Sequence, residues 1–102
     1  MNKSHFSWYT RPYFRMFYEK YMMVVGLIGQ LLFYLQAIKI YHTRSAEDLS
    51  LTGFLIAFFS LISWLFYGII LRNKVLIFVN ITGSFGALLV VLLKILVDHK
   101  IL

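Results

Sequence analysis

The chain has 102 residues, 61% of them hydrophobic and 14% charged, against roughly 25% charged residues in soluble domains; a soluble fold of this size, which has room for one domain, could not bury so much apolar surface. The net charge of +6 does not point to nucleic acid, because the ten Lys and Arg stand at the ends of apolar runs instead of gathering on one polar element. Cysteine is absent, which excludes disulfides and thiolate metal sites.

Residues 1–20 interleave His5, Phe6, Trp8, Tyr9, Tyr13, Phe14, Phe17 and Tyr18 with Arg11, Arg15 and Lys20. They have no continuous apolar core of the kind a cleaved signal peptide needs. The pattern is that of an interfacial anchor with aromatic rings at headgroup level, and a lid or partner-binding segment is the other reading.

A membrane-crossing helix needs about 20 predominantly apolar residues, and three stretches supply them. Tyr21 to Tyr41 carries no charge before Lys39, whose stem can snorkel. Leu51 to Leu71 and Val75 to Leu93 carry none, and the last helix is expected to run over about 75–97, leaving 98–102 as a polar tail. None of the stretches alternates as a barrel strand would. In the loop 42–50, Ser45 with Asp48 fits a capping box, and Ser50 also qualifies as a cap. Arg72, Asn73 and Lys74 are too short a link for anything but an antiparallel hairpin. The expectation is an all-α membrane protein with three crossings and its termini on opposite faces.

Polar groups inside hydrocarbon are costly unless they find partners or line a wet cavity. Here they are Gln30 and Gln36; Ser60, Ser63, Trp64 and Tyr67; and Asn80, Thr82 and Ser84. On the second helix Gly53, Ala57, Ser60, Trp64 and Gly68 share one side, and on the third Asn80, Gly83, Ser84 and Ala87 do. Close helix packing explains the small residues. It explains Trp64 and Asn80 less well, since an indole obstructs close approach and a carboxamide has four hydrogen-bonding sites to satisfy. At 1.5 Å per residue they lie about 10 and 8 Å from the short loop, nearly level. A sugar suits such a pair, with its C–H faces on the ring and its hydroxyls on the amide. No Asp, Glu or His lies within the spans, which argues for uncoupled passage. His5, His42 and His99 are too scattered for a metal site. No nucleophile and base can be paired, so an enzyme and a cofactor are not expected.

The sequence resembles the bacterial SemiSWEETs, half-size relatives of the SWEET sugar transporters in the PQ-loop superfamily. Leu35-Gln36 stands where the family has Pro-Gln. Thr43-Arg44-Ser45 with Asp48-Leu49-Ser50 is similar to its loop pattern, and Ser63-Trp64-Leu65-Phe66-Tyr67-Gly68 precedes Asn80 at the family's spacing. The resemblance covers about residues 24–97. It implies a triple-helix bundle working as a parallel homodimer in the cell inner membrane, with Trp64 and Asn80 of both protomers contacting a mono- or disaccharide. It implies gate or hinge roles for Tyr67, Leu35, Gln36, Arg72 and Asn73. Two departures stand out: Leu35 replaces the family proline, so a kink there is absent or displaced to Gly26 and Gly29, and Asn73 stands where many members carry an acidic partner for Arg.

The resemblance also implies an extracellular N-terminus. The positive-inside tendency leans weakly the other way, with six Lys or Arg on the N-terminal side against four on the other. The function expected is facilitative sugar transport by alternating access. Transport of another small solute such as an amino acid, or a non-transporting membrane scaffold, are the alternatives.

Overall fold

The computed structural model describes residues 11–102. Helix α1 runs Pro12–Thr43, α2 Leu51–Leu71 and α3 Lys74–Asp98, and all three are long and apolar enough to cross a membrane. Among the described residues there is no strand, and the two later helices begin and end within one residue of their expected limits. The first helix does not begin near Tyr21. Pro12 occupies its first turn, where a missing N–H costs nothing and a fixed φ favours helix, so residues 12–20 are its opening turns. The earlier part of the aromatic and basic segment, including Lys3, His5, Phe6, Trp8 and Tyr9, lies outside the described residues.

The helix ends show why the chain turns where it does. Arg72 adopts the left-handed conformation (φ 54°), while the Asn73 N–H donates to the Gly68 carbonyl at 2.9 Å and the Arg72 N–H to that of Ile69 at 3.1 Å. This double closure is a Schellman stop, normally built on glycine. Asn73 then caps α3, its Oδ1 accepting from the Leu76 N–H at 3.1 Å. The link is therefore two residues, and Lys74 already belongs to α3. Arg44 (φ 55°) ends α1 and Lys100 (φ 58°) follows α3 in the same left-handed state. Ser50 is the cap of α2, accepting from Gly53 N–H at 2.9 Å. The Ser45/Asp48 pair caps nothing, because residues 44–50 form an irregular turn outside any helix.

Helix α3 packs against both α1 and α2, which barely touch each other. Its inner face carries the small residues expected there: Asn80, Gly83, Ser84 and Ala87 are all buried, with Gly86, Val90 and Val91. Glycine is required where backbones approach. A Cβ on Gly68 would sit 2.7 Å from Leu76 Cβ, and one on Gly26 would sit 2.6 Å from Val79 Cγ2. Gly26 is thus a packing contact, while Gly29 has open space beside it. At the opposite end Ala37, Ile40, Ala46 and Val90 form a small core flanked by Phe33 and Phe54. Large apolar side chains cover the outside, Ile28, Leu32, Phe59 and Ile70 among them, as lipid contact demands.

Lys94 departs from its expected place at a membrane surface. It is buried, its Nζ donating to the Ala46 carbonyl and pairing with Asp98, both at 2.8 Å. The cation on α3 thereby holds the loop between α1 and α2.

Candidate functional site

The hairpin fixes which residues of α2 and α3 face each other. Gly68 lies against Leu76, and Leu61 approaches Gly83. Midway between these pairs Trp64 falls level with Asn80, seven and six residues from the turn ends Leu71 and Lys74. The structure brings the two to one depth as their spacing requires, yet gives them different surroundings. Asn80 is 7% exposed and its Nδ2 donates to the Leu76 carbonyl at 2.7 Å, within its own helix. Trp64 is 53% exposed and makes an edge-to-face contact with Tyr67, with centroids 5.8 Å apart and planes at 77°. Ser63, Trp64 and Tyr67 line an open depression of about 340 Å³ on α2. The Ser63 hydroxyl bonds the Phe59 carbonyl at 2.9 Å.

One turn below Asn80, the Ser84 Oγ is buried without a partner among the described residues. The small-residue stripe of α2 therefore divides: Gly68 packs, whereas Ser60 and Trp64 stand outside the protomer's own core. Helix packing accounts for the α3 stripe, and leaves Trp64 unexplained.

Above this layer, a cleft of about 750 Å³ opens between α1 and the α2–α3 turn, lined by Glu19, Lys20, Met23, Arg72 and Lys74 among others. Arg72 thus lines this cleft. The Asn73 oxygen is committed to capping α3. In α1, Leu35 is 61% exposed on an unbroken helix and Gln36 is half-buried beside buried Ala37. Tyr34 ties α1 to α3, its hydroxyl donating to the Thr82 carbonyl at 2.7 Å, and Gly86 leaves room for its ring. Among the described residues no cluster of His, Cys, Asp or Glu has the make-up of a metal site.

Three helices long and apolar enough to cross a membrane, with a buried amide and an exposed indole at one level about a third of the way in from the α2–α3 turn, define a small integral membrane protein. The chain belongs to the family described as sugar efflux transporter for intercellular exchange, which it matches over residues 36–100. It is also similar to a solved protein described as a bacterial homologue of SWEET transporters, with a TM-score of 0.75 at 28% identity, covering 79% of this chain and 98% of that one. The sequence matches no protein of curated function. The resemblance to the bacterial SemiSWEETs, first carried by the Trp64 and Asn80 motif, holds in both sequence and fold.

Proposed function

We propose that the protein carries small sugars down their gradient by alternating access, as a parallel homodimer in the cell inner membrane with its N-terminus outside. The observation that supports this most is Trp64, a large half-exposed indole about a third of the way along α2 from the turn that the protomer's own packing does not use. In a two-fold pair, two such rings and two Asn80 amides would enclose a hexose or disaccharide. A single bundle of three helices is too small to surround that path. Tyr67 and Arg72 stand on the N-terminal side of this layer, where an outer gate would close, and the opening turns of α1 would lie among the lipid headgroups.

Transport is expected to be uncoupled, because Glu19, His42 and Asp98 lie toward the helix ends and no carboxylate or imidazole stands level with Trp64 and Asn80. Exchange of labelled sugar across proteoliposomes should proceed at the same rate with and without an imposed pH gradient. Proton-driven accumulation above equilibrium would exclude the uniport mechanism, and exchange of amino acids but not sugars would favour the other solute class.

The leucine at position 35 should slow the cycle. Proline there would remove one helical hydrogen bond and clash with the Leu31 carbonyl, at about 3 kcal/mol in an ordinary helix. It would give α1 a bend just before the Ala37–Ile40 core contact. Leu35→Pro should raise the maximal exchange rate more than it alters the half-saturating concentration. An unchanged rate with a shift in half-saturation beyond about tenfold would instead place Leu35 in the binding site.

A further inference from the structure

Gln30 is an amide inside a membrane-spanning helix, and it has no hydrogen-bond partner among the described residues. Apart from Ser84, the polar side chains nearest it do. Asn80 bonds the Leu76 carbonyl, Thr82 that of Phe78, Ser63 that of Phe59, and Tyr34 that of Thr82. An unpaired amide facing hydrocarbon costs several kcal/mol, so its surroundings decide whether the position is a defect or a site.

Those surroundings are well defined. A Cβ on Gly83 would lie 2.5 Å from Gln30 Oε1 and 2.6 Å from its Cδ, and 3.0 Å from Leu61 Cδ2. The carboxamide therefore rests on the bare backbone of α3, with Leu61 of α2 close by. On α1, Met23, Leu27 and Gln30 share one face by their spacing of four and three, and Met23 lines the cleft beside the α2–α3 turn. Gln30 lies seven residues below Met23, and Trp64 lies seven below Leu71 on the other wall of that cleft. Both are thus about 10 Å beneath one rim. Gln30 is half-buried, with its side chain tilted toward the N-terminal end of α1 and hence toward the Asn80 layer.

We infer that Gln30 is a third substrate-contacting side chain, supplied by α1, whose amide binds adjacent hydroxyl groups of a polyhydroxylated solute held near the depth of Trp64. The inference rests on the sugar-transport reading. A carboxamide offers one donor pair and one acceptor on neighbouring atoms, which matches two vicinal hydroxyls. Gly83 leaves the space in which the amide lies. Asn80, whose Nδ2 is held by its own helix, has fewer free groups to offer than Gln30.

The test uses the full-length protein in proteoliposomes, with labelled glucose, galactose and sucrose and the monodeoxy analogues of whichever is exchanged. Gln30→Met keeps the length of the side chain and removes the amide. It should raise the half-saturating concentration roughly three- to tenfold, the range expected for one net hydrogen bond, with the maximal rate and thermal stability kept. It should also lose the wild-type preference for the parent sugar over one monodeoxy analogue. Gly83→Ala, which displaces the amide without removing it, should give a similar rise, and the double variant should be no worse than either. Unchanged half-saturation and deoxy preference in Gln30→Met, with wild-type exchange intact, would overturn the role of Gln30 and leave sugar transport standing. Additive losses in the double variant would also overturn it, since they would mean two separate packing defects. If the wild type exchanges none of the three sugars, the sugar-transport reading falls and the role of Gln30 with it.

Discussion

Trp64→Ala should abolish measurable sugar exchange while leaving the protomer folded. Fully covering an aromatic side chain is worth about 1.5–3 kcal/mol, and a two-fold site loses it twice. The combined loss corresponds to more than about a hundredfold in affinity. Because Trp64 is 53% exposed in the protomer, removing it opens no internal cavity, so the unfolding temperature in detergent should hardly move. Trp64→Phe should retain part of the exchange. The same truncation at Asn80 would behave differently, because that side chain is buried between helices and its loss would disturb packing as well as transport. Exchange that survives in Trp64→Ala at wild-type rate would remove the ring from the path.

Lys94→Met should destabilise the protein by about 2 kcal/mol, the cost of losing a charge-assisted hydrogen bond to a buried carbonyl. The carbonyl is that of Ala46, itself 3% exposed, which would keep only the longer bond from the Leu49 N–H at 3.2 Å. Asp98→Asn should cost less, below about 1 kcal/mol, because its carboxylate is 40% exposed and the ion pair is screened. Thermal unfolding of the two variants in one detergent compares them directly. Faster proteolysis within residues 44–50 in Lys94→Met alone would trace the loss to the loop. Equal losses in both variants would mean that the ion pair, and not the bond to the loop, carries the effect.

Much of this architecture was legible in the sequence because hydrocarbon permits so few solutions. Three uncharged runs of span length and a link too short for any other connection dictate the helix count and the α2–α3 hairpin. The depth of Trp64 and Asn80 followed from counting residues on either side of that link, since two helices leaving one tight turn stay in step. What the pattern could not convey was direction around the helix axis. Trp64 and Gly68 stand four apart on one side of α2, yet only Gly68 is buried, against Leu76 of α3. Gln30 looked like any other polar residue in a span until Gly83 was seen beneath it. Lys94 gave a weak local signal in its spacing of four from Asp98, but its burial depends on Ala46, 48 residues away. The start of α1 was missed for a nearer reason, the proline at its first turn.

The stops at the helix ends bear on the bilayer itself. Helix α2 is held at one end by the Ser50 cap and at the other by the left-handed Arg72, so neither terminus can fray to change its length. Its 21 residues span about 32 Å, close to the hydrocarbon thickness of about 30 Å. The two-residue turn ties α3 to it, and the pair behaves as a gauge of fixed height. A thicker or thinner membrane must then be met by tilt of the whole hairpin or by deformation of the surrounding lipid. Acyl-chain length thus becomes a mechanical load on the same helices that carry Trp64 and Asn80.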